Sequence, residues 1–358
     1  MMFEDMAHRP ATWLTGDGPQ SEIVLSSRIR FARNISDFEF PPSADSDTRD
    51  KIIEYVQRAF EAAGLTSSGH FYRSADIDIL DRSFLVERHL ISPEFMKDGV
   101  GRGLFIDNSE KLSIMINEED HIRLQVISPG LAMNECWESA YEIDKKISQK
   151  MEFAYDEKFG HLTSCPTNVG TGLRASILIH LPGLVLTGDI EGVIKKISKI
   201  GLVVRGFYGE GTDVLGNLFQ VSNQTTLGRS EEEIIDMLAT ATMQIIEYEH
   251  NAQEKVIRDA SDQMEDKVWR SYGILKHARV LGSGEVMNLL SAMRLGVSLK
   301  MIDVVSIKLI NELLIITQPA HLQKYYDREM DANERDLIRA ELVRERINDY
   351  KNSRESNK

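Results

Sequence analysis

At Ser230 the hydrophobic period of this chain changes, and that change limits the folds open to it. Before Ser230, apolar residues recur at every second position in several short runs, the spacing of half-buried strands. Ile23 and Leu25 are followed, after a polar interruption at Ser26 and Ser27, by Ile29 and Phe31; Leu112, Ile114 and Ile116 alternate, then Ile122, Leu124 and Val126. ASILIHL and the two arms of LVVRGFYGEGTDVLGNLFQVSNQ extend the series. Two helices are expected among these strands, over 48–63 up to Gly64 and over 132–151, where Cys136 packs beside Trp137. After Ser230, which forms a capping box with Glu233, helical spacing continues to the end, broken near GSGE (282–285), LGVS (295–298) and TQPA (317–320). Strands first and helices last predict an α+β chain with a C-terminal all-α domain. The boundary is expected near residue 255, giving units 1–255 and 256–358.

Charge and composition remove several classes of function. A net charge of -14 argues against a broad nucleic-acid footprint. No run of about 18 uncharged apolar residues predicts a membrane span, and MMFEDMAHRP lacks the layout of a signal peptide. A cytoplasmic protein is the simplest expectation. Two cysteines, Cys136 and Cys165, make neither a disulfide framework nor a zinc spacing.

The arginines point to chemistry. Arg28, Arg30, Arg123, Arg174 and Arg205 all fall on or beside predicted strands, near turns. Arg28 and Arg30 share the strand face opposite Ile29 and Phe31, about 7 Å apart. One arginine in such a place usually pairs with a nearby acid; five favour an anion site, because guanidinium stays ionised and donates in a planar fork. Neither a GxxxxGK[ST] loop nor a GxGxxG turn in the right context is present, so any bound nucleotide would be held by arginines. Two turn glutamates, Glu119 of NEEDH and Glu210 of YGEG, could orient a cationic substrate or take its proton, or could simply be hydrated. Cys165, on the loop leading to Arg174, is open between a reactive thiol favoured by nearby cations and a half-buried structural one.

SSRIRFARN, NEEDHIR, CPTNVGTGLRAS and RGFYGEG, in that order, resemble the signature segments of the phosphagen (guanidino) kinases. The resemblance implies a catalytic domain built on an antiparallel sheet flanked by helices, and transfer of the γ-phosphoryl group of ATP, with Mg²⁺, to a guanidinium nitrogen. It assigns the nucleotide to Ser26, Ser27, Arg28, Ile29, Arg30, His89, Arg123, Arg174, Ala175, Ser176, Ile177, Leu178, Arg205, Gly206, Phe207, Tyr208, Gly209 and Glu210. Glu119 and Glu210 become the guanidinium-holding acids, with Glu119 as the base, and Cys165 becomes the reactive cysteine. No metal ligand is assigned.

Small-guanidine kinases carry a helical domain before the SSRIR segment and read GEHTE where this chain has Gly211, Thr212 and Asp213. Here SSRIR begins at residue 26, and the additional sequence is C-terminal. Within it, RDLIRA resembles the RDxxRA motif of bacterial protein-arginine kinases, which implies a phosphoarginine site at Arg335, Asp336 and Arg339. An acceptor site without the N-terminal domain is expected to admit arginines exposed on other proteins. The resemblance further implies an activator protein, an AAA+ unfoldase-protease, a transcriptional repressor among the substrates, and a homodimer, with no nucleic acid or membrane. A kinase of free guanidino compounds and a catalytically idle phosphoarginine-binding adaptor are the alternatives.

Overall fold

Strand-forming periodicity becomes one continuous sheet in the computed structural model, which describes residues 2–97, 100–207 and 214–356. Among the described residues the strands are β1 (Val24–Arg33), β2 (Gly69–Arg73), β3 (Gly103–Asp107), β4 (Leu112–Ile116), β5 (Ile122–Pro129), β6 (Tyr155–Asp156), β7 (Gly160–His161), β8 (Leu173–His180), β9 (Leu202–Gly206) and β10 (Leu218–Asn223). Eight of them form a sheet in the order β2-β3-β4-β5-β1-β8-β10-β9, antiparallel at every step. β6 and β7 make a separate ribbon.

One face is apolar along its length. Ile29, Phe31, Ile114, Leu124, Ala175, Ile177 and Val221 pack there against helices Ser46–Ala62, Met133–Ser148 and Ile190–Lys199 and the first part of Glu231–His277. Asp45 caps the first of these helices by accepting from the Thr48 N–H, and Gly64 takes the left-handed conformation (φ 75°) just past its end. Each cap is worth about 1 kcal/mol; it fixes where the helix starts, while the buried face supplies most of the stability. Cys136 is fully buried in this core, and burial pushes its thiol up to about 12, as its packing beside Trp137 anticipates.

The opposite face is divided. Leu104, Ile106 and Met115 are covered by Phe84, Leu85 and Phe95, the last three on helices Ile79–Glu87 and Pro93–Lys97. Leu25, Ile127, Leu178 and Leu218 instead join Trp13 and the C-terminal helices Ser283–Ser298, Ile307–Ile316, Pro319–Tyr325 and Ala332–Ser356 in a second core. The pairing of β1 with β8 shifts register between Val24 and Ser26, a little earlier than the expected interruption at Ser26 and Ser27. This irregularity puts Leu25 on the same face as Arg28, although the two are an odd number of residues apart. The Ser230 capping box starts the long helix as expected; the helix is broken at Ala260 (φ -150°, ψ 37°). Its residues up to Ala252 lie in the first core, and those from Val256 onward in the second. Later helices begin or end at all three expected breaks: Gly282 precedes Ser283, Ser298 ends its helix, and Pro319 opens the helix that follows Ile307–Ile316.

Candidate active site

Between the two covered regions of the divided face stand the arginines. Strand alternation sends Arg33 and Arg30 to opposite faces, and their environments differ sharply. Arg33, on the core side, is only 1% exposed and fully paired: Asp144 accepts at 2.9 Å, and the carbonyls of Thr171 and Ala32 accept at 2.8 and 3.0 Å. Arg30 lies directly opposite Arg174 in the β1–β8 pairing, and Arg123 lies opposite Ala32 two residues along. Like charges in register repel. The Nε–H groups of Arg30 and Arg174 are buried and have no hydrogen-bond partner among the described residues.

Burial lowers the Arg30 guanidinium well below its usual range, and Arg28, Arg123 and Arg174 add repulsion. Arg28, which donates to Ser176 Oγ (3.3 Å) and Gln220 Oε1 (2.9 Å), is pushed down to about 10 by burial and then by Arg123 and Arg174. Arg174 is lowered by burial, then by Arg205 and Arg123. Arg205 is exposed on β9 opposite Gln220. Arg123 is held by an ion pair to Glu118, whose other carboxylate oxygen accepts from the Ser92 hydroxyl.

Two adjoining cavities open on this face. One of about 210 Å³ is lined by Arg30, Arg123, Arg174, Glu119 and Cys165. The other, about 220 Å³, has Arg174, Arg205 and Asn223 in its wall and shares Thr167 and Asn168 with the first. The NEEDH segment is the connection between β4 and β5, as the alternation predicts, and Glu119 is its exposed member. Burial is the main cause raising the Glu119 carboxyl above its ordinary range; Asp120 and Glu118 add to it, while Arg123 and the neighbouring Cys165 thiol oppose it. Cys165 is half-buried, with its Sγ 3.0 Å from Thr167 Oγ1. An anion would therefore meet cations on one side and an acid and a thiol on the other.

The remaining assigned residues divide by side-chain direction. Ser176 faces the arginines; Ile29, Ala175 and Ile177 are buried in the first core, so only their main chain belongs to the site face, while Leu178, on the arginine face, is covered by the second core. Ser26 is buried, and the Ser27 hydroxyl is spent on Gly130 O (2.8 Å) and Ala132 N (3.0 Å). His89 has φ 61° and its ring lies between Trp13 (5.0 Å) and Phe207 (4.7 Å). Burial and Arg28 push this imidazole down to about 3, so it is neutral at physiological pH. Gly206 ends β9, and Tyr208, Gly209 and Glu210 lie outside the described residues.

On helix Ala332–Ser356, Arg335 lines a separate cavity of about 790 Å³ together with Glu87, Pro319 and Asp331, and donates to Met330 O at 2.7 Å. Arg339 turns inward: it is 1% exposed, donates to Thr317 O (2.7 Å) and Leu281 O (2.8 Å), and pairs with Asp336. Sequence reasoning did not single out Glu118, Gln220, Thr167 and Asn168 at the arginine face. Glu118 lies within NEEDH and Thr167 and Asn168 within CPTNVGTGLRAS, but spacing alone gives them no role, Gln220 lies in no motif, and only the folded sheet brings the four together.

A family profile described as ATP:guanido phosphotransferase, C-terminal catalytic domain, matches residues 51–252. A second, the protein-arginine kinase McsB C-terminal domain, matches residues 261–358. The protein-arginine kinase of Halothermothrix orenii is 44% identical over 349 residues, covering 97% of this chain and 100% of the relative. That of Geobacillus stearothermophilus is 48% identical over 339 residues, covering 94% and 93%. Among solved structures, a lombricine kinase aligns with a TM-score of 0.58 at 27% identity over 67% of this chain and 70% of its own. The duplicated taurocyamine kinase from Schistosoma mansoni, with bound transition state analog components, aligns at 0.60 and 24% identity; it shares the fold over 69% of this chain and 36% of its own.

Proposed function

This chain belongs to the protein-arginine kinases of the ATP:guanido phosphotransferase family, and on that premise we propose how its residues carry the γ-phosphoryl group of ATP to arginine side chains of proteins. The phosphates lie among Arg28, Arg30, Arg123, Arg174 and Arg205. The observation that carries this assignment is the opposition of Arg30 and Arg174 with buried, unpartnered Nε–H groups. A cluster of desolvated cations costs several kcal/mol unless an anion completes it. Arg33, fully paired on the other face, is the contrast.

Phosphoryl transfer passes through a loose transition state with charge spread over the phosphoryl oxygens, so fixed cations accelerate it by stabilising that charge. One guanidinium nitrogen attacks the γ-phosphorus in line, the bond to the bridging oxygen breaks, ADP leaves, and the nitrogen loses a proton. Glu119 takes that proton, and its raised carboxyl favours the role. Cys165, in the wall of the same cavity as Glu119, helps to orient the acceptor. The part given to Glu210 as the second clamp rests on the match of YGEG to the family segment.

Mg²⁺ fits this site as a passenger of the nucleotide. No cluster of three or more ligating side chains occurs among the described residues, and Mg²⁺ on ATP asks for only one or two carboxylates beside the phosphates. Glu118 is committed to Arg123 and Ser92 and Glu119 to the acceptor, so the nucleotide's own phosphates would hold the ion. When bound with the nucleotide, it would supply further neutralisation of phosphate charge beside the arginines.

The same reading includes catalytic and helical units meeting near residue 255, and a phosphoarginine site around Arg335, Asp336 and Arg339. An activator protein, an AAA+ unfoldase-protease, a repressor substrate, a homodimer and a cytoplasmic location complete it. Among the described residues no helix is long and apolar enough to cross a membrane. Incubating the protein with MgATP and a mixed protein substrate should yield phosphoarginine on the substrate by mass spectrometry. Phosphate found only on free arginine or creatine would refute it.

A further inference from the structure

A charged hairpin tip is ordinarily well hydrated, yet the NEEDH turn is mostly inside the protein. Asn117, Glu118, Asp120 and His121 are 1%, 7%, 2% and 0% exposed, and Glu119 alone reaches solvent. Asn117 has φ 56° and spends its amide on Arg49 O and Gly101 O, at 3.0 Å each. The His121 ring accepts from Ile35 N–H (2.9 Å) at Nδ1 and donates from Nε2 to Glu39 O (3.0 Å).

The centre of this arrangement is Asp120. Its Oδ1 accepts from Asn34 Nδ2 at 2.7 Å and from the Ser164 N–H at 2.6 Å. Asn34 is itself 1% exposed; its Oδ1 accepts from the His121 N–H (2.8 Å) and its amide also donates to Leu162 O (3.2 Å). One buried pair therefore joins three segments distant in sequence: the end of β1, the turn carrying Glu119, and the loop carrying Cys165. Glu119 and Cys165 stand on different segments but wall the same 210 Å³ cavity.

We propose that Asp120, held by Asn34, is a positioning residue that locks the Glu119 turn to the Cys165 loop, so that carboxylate and thiol meet the acceptor guanidinium in one fixed geometry. The phosphate-facing arginines stand on strands, and Arg123 is held by Glu118 rather than by Asp120. Asp120 thus acts on the acceptor half of the reaction and leaves the nucleotide half alone. The inference rests on the reading of Glu119 as the base.

Asp120→Ala frees the loop, and a misplacement of about 1 Å lowers kcat by ~10- to 100-fold, while the KM for ATP stays close to the parent value; the Asn34 amide and Ser164 N–H, left without their acceptor, lower the thermal midpoint by roughly 2–4 °C. Cys165 should be alkylated faster by iodoacetamide, with buried Cys136 silent as the internal control. Asp120→Asn keeps an acceptor oxygen for both donors and should recover most of kcat. That rescue also serves if the alanine variant fails to fold. The proposal is overturned if Asp120→Ala keeps full kcat, if kcat and the KM for ATP deteriorate together, or if Asp120→Asn is as impaired as alanine. Full activity in Glu119→Gln would instead overturn the reading of the base, whatever Asp120 does.

Discussion

Replacing Arg30 by methionine should make the nucleotide-free protein more stable and the enzyme far weaker. Arg30 is buried, faces Arg174 in register, and has Arg28 and Arg123 as further cationic neighbours. The fall of its neighbour Arg28 to about 10 gives the scale: about 3 kcal/mol set against that charge, or about 2 kcal/mol after allowing for solvent screening. Methionine keeps much of the aliphatic packing and removes the repulsion, as buried charges replaced by apolar residues often do. With an unfolding entropy of about 2.1 cal/mol/K per residue over 358 residues, 2 kcal/mol raises a single cooperative midpoint by roughly 2 to 3 °C. The lost charge-assisted hydrogen bonds, about 1.5–3 kcal/mol, should weaken ATP by ~10- to 100-fold and shrink the stabilisation that ATP provides. Differential scanning calorimetry in a buffer free of phosphate and sulfate, with and without MgATP, reads both effects. A nucleotide-free midpoint that falls by a degree or more would show that Arg30 is a structural cation and refute the reasoning.

Glu119→Gln should lower kcat by ~10²- to 10⁴-fold with ATP binding nearly unchanged, measured by calorimetric titration beside phosphoarginine formation. Glu249 is fully buried and accepts from Gly183 N (2.7 Å) and Leu184 N (3.0 Å), and burial pushes its carboxyl up to about 7. Because its pKa is raised on folding, its contribution is fully present below the unfolded value of about 4.3 and is lost as pH rises through 7. The midpoint of the parent should therefore drop more between pH 5.5 and 8 than that of Glu249→Gln; equal slopes would show that Glu249 does not titrate there. Arg339→Met strands the carbonyls of Thr317 and Leu281 and should cost ~2–4 kcal/mol. Arg335→Met, at the mouth of the larger cavity, should cost under ~1 kcal/mol, and thermal melts of the two variants separate the roles.

Much of this architecture is visible in the residue order because local rules and the global fold agree. Period-two alternation located the long strands and sorted Arg28 and Arg30 from Ile29 and Phe31, and Ser230 with Glu233 marked the start of the helical part. What was hidden depends on distant partners. Leu25, Ile127, Leu178 and Leu218 are single apolar residues on a polar strand face, and only the C-terminal helices packed over them explain their presence. The sequence leaves Asp120 open between structural support and hydration because Asn34, which donates to it, lies 86 residues away. Arg335 and Arg339 have helical spacing toward one face, but carbonyls at Thr317 and Leu281 draw Arg339 inward. Spacing along a helix tells where a side chain starts, and the acceptors around it decide where it ends.

β8 carries obligations on both faces at once. Arg174, Ser176 and Leu178 serve the cation cluster and the C-terminal core, while Leu173, Ala175, Ile177 and Ile179 fill the other core. Inserting or deleting one residue here would exchange the two sets, driving guanidinium into hydrocarbon and hydrocarbon into the phosphate pocket. Descendants of this sequence can therefore drift through residues 173–180 by substitution but not by change of length. Any history of insertions in this lineage should be written in the connections between strands.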